Sequence, residues 1–265
     1  MKLLFQSDDY GLTDGITDGI LKGIRDGVIR NTGLFVNMPA SERAASFIAQ
    51  YPQCCFGLDI NLVAGRPVSD PNHVPDLVKP DGAFYTSGEI RARAGTQPGK
   101  SMIEEMPEDP YPMDQTLAEV RAQMNRFIAL TGHRPGYIHP HSLMTPNTEA
   151  AIRAVGAEFE VPYSMDFYKA HGFHSVTNTW NPKPFPFQTQ LDTDVEREVL
   201  QVIPEVLEFE NNVLVCHAGF VDADIFEHST YTFIRARDLQ MACSWRLHRW
   251  LEEHKIELIT YQDFA

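Results

Sequence analysis

Leu3-Leu4-Phe5-Gln6-Ser7-Asp8-Asp9-Tyr10-Gly11 opens the chain as an apolar run that turns acidic at its end, and Ile16, Ile20, Ile24 and Val28 follow at four-residue spacing. The first segment has the length of a buried strand; the second is one stripe of an amphipathic helix. The same order recurs along the chain. Leu34-Phe35-Val36 predicts a second strand with a helix over about 41–49 behind it, and Cys55-Phe56-Gly57-Leu58-Asp59-Ile60 a third strand. Leu117, Val120, Met124, Phe127 and Ile128 mark a helix before the short strand Tyr137-Ile138-His139. A helix over about 150–155, a strand-like Phe159-Glu160-Val161 and a helix over about 195–207 come next. Val213-Leu214-Val215-Cys216 reads as a buried strand, and one long helix over about 233–254 leads to Leu258-Ile259-Thr260.

Strand–helix alternation without a break in composition predicts a mostly parallel sheet flanked by helices. Six or seven strands in one 1–265 domain point to an irregular (β/α) barrel. No G-x-G-x-x-G follows the first strand, so a doubly wound dinucleotide-binding sheet has no support. Residues 61–111, with seven prolines and five glycines, form a long excursion from the repeating pattern; such loops usually carry function. A second Pro-rich loop is expected over about 180–187. Gly11, Gly15, Gly19, Gly23 and Gly27 make a ladder beside the isoleucine stripe. It reflects either close packing of this helix on the sheet, offsetting about 1 kcal/mol per glycine, or a local Thr-Asp-Gly-Ile duplication.

The formal net charge of −14 argues against nucleic-acid partners, which require clustered Lys and Arg. It disfavours anionic membranes less strongly, and suits a neutral substrate or a metal cation. The first residues contain no 7–15-residue apolar stretch of the signal-peptide kind, and no 18-residue apolar run occurs. Cys54, Cys55, Cys216 and Cys243 fit neither a disulfide framework nor a CxxC zinc pattern. The expectation is a cytoplasmic protein with reduced thiols.

In parallel α/β proteins, functional groups gather where strands end. Four predicted strand ends carry suitable side chains: Asp8-Asp9, Asp59 with Asn61, His139-Pro140-His141, and His217-Ala218-Gly219. Two adjacent carboxylates brought to one pocket need a cation or a shared proton; the alternative is a helix N-cap. His139 and His141, two apart on a strand, leave the same face and can converge on one ion; each can also be a structural histidine next to Pro140. His217 is open to both readings too, and the other histidines fall in loops or on helix surfaces. Phe84, Tyr85, Tyr111 and Trp180 either stack on sugar rings or pack the loops down.

Taken together, Ser7-Asp8-Asp9-Tyr10-Gly11, Gly57-Leu58-Asp59-Ile60-Asn61-Leu62 with Gly65-Arg66-Pro67-Val68, Tyr137-Ile138-His139-Pro140-His141, Cys216-His217-Ala218-Gly219, Tyr231-x-x-x-Arg235-x-x-Asp238-Leu239 and Ile256-x-Leu258-Ile259-Thr260-Tyr261 resemble the YdjC-like carbohydrate deacetylases. That family includes chitooligosaccharide and hopanoid-associated members. The resemblance spans nearly the whole chain, and implies a distorted (β/α) barrel related to polysaccharide deacetylases, often dimeric. It also implies one divalent ion held by an Asp-His-His set and an acetylated amino sugar as substrate. Carried over by position, Asp9 is the metal aspartate, Asp8 the general base, His141 the second histidine ligand, His217 the general acid, and Arg235 a substrate contact. Two positions depart from the family pattern: Asp59 stands where its first histidine ligand is usual, and His139 where an aspartate is usual. With Asp59 as ligand, an Asp-Asp-His set favours manganese or magnesium over zinc. Otherwise His139 moves in and Asp59 sits behind it, or the ion is lost and a non-catalytic carbohydrate-binding barrel remains.

Overall fold

Lys2–Tyr10 forms strand β1, buried from Leu3 onward, so it must be covered on both faces and both edges. The computed structural model describes residues 1–97, 103–181 and 185–264. One edge of β1 is covered from Lys2 to Ser7 by β6 (Asn211–Cys216). The other edge is shared: β7 (Glu257–Ile259) lies against Lys2–Leu4, and β2 (Asn31–Leu34) against the strand from Gln6 on. Asn31 bridges the junction, its Nδ2 donating to the carbonyls of Phe5 at 3.3 Å and Ile259 at 2.9 Å. Beyond β2 come β3 (Cys55–Ile60) and β4 (Ile138–Pro140), and beyond β6 comes β5 (His174–Ser175). Every pairing is parallel, in the order β4-β3-β2-β1-β6-β5, which makes an open half-barrel.

Register decides what faces the inside. In parallel pairs, partners share a face, so Leu4, Gln6 and Asp8 line up with Asn31 and Gly33, with Cys55, Gly57 and Asp59, and with His139. The lower part of this inner layer is an apolar and aromatic cluster of Leu4, Cys55, Tyr137, Phe167, Val213, Ile259 and Tyr261. Its upper part is polar. Two glycines make room: a Cβ on Gly57 would stand 2.5 Å from the Tyr137 ring, and one on Gly33 1.8 Å from Asp59 Oδ1. The opposite face of the sheet carries Leu3, Phe5, Leu34 and Leu58 into the main core beneath the helices.

Helix α1 (Asp14–Asp26) is capped by Thr13, whose Oγ1 accepts from Ile16 N at 3.2 Å. Neither Asp8 nor Asp9 caps it, which removes the capping alternative for that pair. The glycine ladder serves close packing, on several neighbours in turn: Gly11 on Leu34 and Phe35, Gly15 and Gly19 on the loop after β6, Gly23 on Ile29, and Gly27 on Ala242. A Cβ on Gly19 would meet the backbone of Gly219 and Phe220 at 2.4–2.6 Å. Nearby, Phe220 N donates to Gly15 O at 3.0 Å and Gly15 N to Asp222 Oδ2 at 2.6 Å.

Helices α2 (Ser41–Phe47), α3 (Ser87–Ala94), α4 (Met113–Thr131), α5 (Pro146–Glu158), α6 (Ser164–Ala170), α7 (Phe187–Asp192) and α8 (Val195–Val202) follow, then α9 (Ile225–His228), α10 (Ile234–Ala242) and α11 (Trp245–Glu253). The excursion therefore contains a helix, α3, and is fastened to α4: Glu119 accepts from Val68 N and Ser69 N, both at 2.9 Å. Residues 98–102 of the excursion and 182–184 of the second Pro-rich loop lie outside the described residues. Three expectations are corrected. The helix over 233–254 is two helices, because Ser244 is extended and its Oγ caps α11 by accepting from Arg246 N at 3.1 Å. The helix over 195–207 turns 3₁₀ at Ile203–Leu207, where Pro204 removes a donor. Residues 159–161 form no strand: Glu160 turns left-handed (φ 55°) after α5, and Tyr163 instead makes a single bridge to Ile138.

Substituting Gly19→Ala drives a methyl group into backbone that cannot yield, so the urea midpoint should fall by the equivalent of about 1–3 kcal/mol. Gly88→Ala in α3, with nothing within 4 Å of its Cβ, should raise it by about 0.5–1 kcal/mol. Equal midpoints for the two variants would show that the ladder is not a packing surface.

Candidate active site

β1 keeps its pairing with β6 only to Ser7, and its register with β2 slips between Ser7 and Tyr10. Within that slip Asp9 is left-handed, φ 74°, at a cost of about 1–2 kcal/mol for a non-glycine residue. Asp59 holds it there: Asp9 N donates to Asp59 Oδ2 at 2.9 Å. The kink gives the neighbouring carboxylates separate partners at one strand end. Asp8 Oδ2 lies 3.5 Å from His139 Nε2 and 4.0 Å from His217 Nε2. Asp9 Oδ1 lies 2.9 Å from His141 Nδ1, and Arg235 Nη2 donates to Asp9 Oδ2 at 2.7 Å.

The supports lie one layer behind. His139 Nδ1 is 2.7 Å from Ser164 Oγ, at the start of α6. The Phe35 and His141 rings meet edge to face, centroids 4.8 Å apart. His217 N donates to Asp238 Oδ2 at 2.8 Å, and the Tyr231 ring lies 5.0 Å from the imidazole. Exposure identifies the open side. The side chains of His141 and His217 are 19 % and 29 % exposed, against 2 % for Arg235 and none for Asp9. A substrate therefore meets the imidazoles and Asp8 before it meets Asp9.

The six acids and histidines singled out at strand ends come together: Asp8, Asp9, Asp59, His139, His141 and His217. Arg235 joins them from an unexpected side, buried behind Asp9 as its ion-pair partner. Asn61 does not join; its Oδ1 accepts from Val63 N and Ala64 N and shapes the following turn. Phe84, Tyr111 and Trp180 are buried and pack their loops, and Tyr85 lies under the Arg93 guanidinium. Gln6 and Ser164 were not singled out, although Gln6 had a signal: it shares the inward face of β1 with Asp8. Ser164 had none.

Burial opposes ionisation of every acid here, and the neighbours decide the outcome. For Asp8 the desolvation is outweighed by His139 and His217, which hold its carboxyl below the usual range. For Asp9 it is outweighed by His141 and Arg235, which hold it well below. Asp59 has no cationic neighbour; burial and the Asp8 and Asp9 charges push it well above. His217 is lowered by burial against the pull of the two aspartates.

Three buried acids thus face one buried guanidinium, and Asp59, pushed toward its neutral form, would need a cation beside it to ionise. Asp9 Oδ1 and Asp59 Oδ1 have no hydrogen-bond partner among the described residues. Asp9 Oδ1 and His141 Nδ1 lie 2.9 Å apart without hydrogen-bond alignment, close enough that one ion could take both as ligands. The donor chemistry fits a divalent ion. As the side chains stand, no three His, Cys, Asp or Glu among the described residues are arranged to hold one, so a third donor has to turn in.

Over residues 2–253 the chain matches the YdjC-like protein family. It belongs to that family. It is 28 % identical over 267 residues to carbohydrate deacetylase 2 of Listeria innocua serovar 6a, covering 99 % of this chain and 98 % of the relative. It is 31 % identical to a carbohydrate deacetylase of Oceanobacillus iheyensis, covering 95 % of this chain and all of the relative. In structure it is similar to a candidate cellobiose-phosphate cleavage protein of Enterococcus faecalis V583, with TM-score 0.78, 20 % identity, and coverage of 100 % and 98 % of the two chains. It is also similar to a family 4 acetyl xylan esterase from Clostridium thermocellum in complex with a cobalt ion, with TM-score 0.52, 10 % identity, and coverage of 99 % and 89 %. The half-barrel is similar in fold to that of the family 4 esterase. No helix among the described residues is long and apolar enough to cross a membrane.

Asp238 gives a pH test of the support behind His217. Burial pushes its carboxyl up to about 7, against the His217 N–H and Arg235. Between about pH 4 and that value the unfolded chain has released this proton and the folded chain keeps it, so stability falls as pH rises, by at most about 1.4 kcal/mol per pH unit. Asp238→Asn should flatten the fall in urea midpoint between pH 5 and 7. Parallel profiles for the variant and the parent protein would refute the assignment.

Proposed function

We propose that this protein is a metal-dependent amide hydrolase that removes the acetyl group from an N-acetylated amino sugar or a short oligomer of one. The observation that carries the reading is the separation of Asp8 from Asp9. Adjacent acids at one strand end have different neighbours, Asp8 facing two imidazoles on the open side and Asp9 sunk between His141 and Arg235. The first setting suits proton transfer and the second suits holding a charge. The names of the relatives support the carbohydrate and the acetyl group, and the cobalt ion in the acetyl xylan esterase supports a metal.

Asp9 and His141 would hold the ion, with Asp59 Oδ1 as the third donor, because it is buried beside them without a partner. When bound, the ion supplies Lewis-acid polarisation of the acyl oxygen and a lowered pKa for water. The rest is the work of the chain's own groups. Asp8 Oδ2 accepts a proton as the water oxygen bonds to the acetamide carbon. His217 then delivers a proton to the nitrogen as the C–N bond breaks, releasing acetate and the amine. Burial makes its imidazolium a stronger acid toward that nitrogen. Arg235 holds Asp9 Oδ2 in place, leaving Oδ1 free to face the ion.

Acetate release from N-acetylglucosamine oligomers by metal-loaded protein tests the reading. Asp8→Asn and His217→Gln should each lower kcat by about 10²- to 10⁴-fold, with unchanged thermal midpoints. Elemental analysis tests the ligands separately: Asp9→Asn and His141→Ala should bind less than a tenth of the parent protein's metal, and Asp59→Asn should bind it more weakly. A parent protein that binds the oligomers and metal but releases no acetate would make this a carbohydrate-binding barrel without hydrolase activity.

A further inference from the structure

Asp8 has two oxygens, and the structure treats them differently. Oδ2 faces His139 and His217 on the open side. Oδ1 points down into the half-barrel, where Gln6 Nε2 donates to it at 2.6 Å. Gln6 is fully buried, one pleat below Asp8 on the same face of β1. Its other end, Oε1, lies 2.8 Å from the Tyr261 hydroxyl and 3.1 Å from the Tyr168 hydroxyl, and the two hydroxyls are 2.5 Å apart. Tyr261 is pinned by stacking on Tyr137, centroids 3.9 Å apart, and the Tyr137 ring occupies the space that Gly57 leaves open. Tyr168 stands one turn after Ser164 on α6, so one face of this helix supports both His139 and Gln6.

An amide can be turned either way, and only its neighbours determine which end is which. Here two phenols hold two hydrogens between them for three close contacts. At least one is directed at Gln6 or relayed to it through the other. With the oxygen end facing the phenols, the amide N–H must face Asp8. The reverse orientation would set the amide oxygen 2.6 Å from Asp8 Oδ1, two acceptors in a site that water does not reach.

We propose that Gln6, oriented by Tyr168 and Tyr261, is a positioning residue for Asp8: it occupies Oδ1 and so assigns proton transfer to Oδ2. This rests on the hydrolase reading above for its kinetic consequence, but not for the hydrogen-bond pattern itself. Asp8 is then aimed at the substrate from beneath, by a group that never touches it.

The test is a set of variants read by kinetics and by NMR. Gln6→Met keeps the volume and removes both polar ends; kcat should fall by about 30- to 100-fold with KM within about twofold, the cost of a loosely held base. Tyr168→Phe or Tyr261→Phe alone should cost less than about threefold, because one phenol still orients the amide, while the double variant should lose about tenfold or more. In a Gln6→Met background the same tyrosine changes should leave kcat within about twofold, a coupling that a purely structural role would not produce. Independently of catalysis, the Gln6 side-chain amide signals should exchange slowly with water in the parent protein, shift in Asp8→Asn and lose protection in the Tyr168→Phe/Tyr261→Phe variant. A parent protein that releases no acetate sinks the hydrolase reading and leaves the amide spectrum to decide this one. Gln6 signals indifferent to Asp8→Asn and to the loss of both phenols would overturn the proposal. So would kcat changes from the tyrosines that are the same with and without Gln6.

Discussion

A single hydrogen bond, from Asp9 N to Asp59 Oδ2, sets the geometry of this site. It fastens a left-handed aspartate inside a strand that would otherwise send Asp8 and Asp9 to opposite faces of the sheet. Once the kink is in place, Asp8 keeps the inward face of β1 and Asp9 turns toward His141 and Arg235. The bond needs a carboxylate lying over β2, and that is possible because Gly33 has no side chain there. A strained residue on β1, its acceptor on β3 and a glycine on the strand between them form one device.

That device concentrates negative charge where water is scarce. Arg235 offsets part of it, and the imidazoles keep Asp8 and Asp9 ionised, but Asp59 is left with burial and two anions as neighbours. Buried charge without compensation is costly, which is why Asp59, with no cation beside it, is pushed toward its neutral form. The loop after β6 completes the site from the other side. Its backbone lies on the glycine stripe of α1, so the first helix of the chain, through Gly15 and Gly19, helps to place His217, far away in the sequence. Beneath them, above the apolar cluster, Gln6 and the Tyr168 and Tyr261 hydroxyls place a layer of hydrogen bonds under Asp8.

Much of this was legible beforehand. Periodicity located most of the elements, because buried strands need unbroken apolar runs and half-buried helices need stripes. Strand ends located the six acids and histidines, since groups lying beyond the last paired residues of parallel strands share one end of the sheet. What went astray has local causes. Ser244 interrupts an apolar periodicity that runs on through both α10 and α11, so two helices looked like one. Phe159-Glu160-Val161 has strand composition, but Glu160 in the left-handed region turns the chain instead.

Amino-acid order by itself determined the parallel α/β architecture and the acids and histidines that meet, through pattern and spacing within short segments, and the family through its motifs. Only the tertiary structure decided how those side chains divide. It paired Arg235 with Asp9, gave Asp59 the backbone of its neighbour's site to hold, and set Gln6 and two distant tyrosines beneath Asp8. Those assignments depend on register between strands and on which glycines leave room, and neither is written in any one segment of the chain.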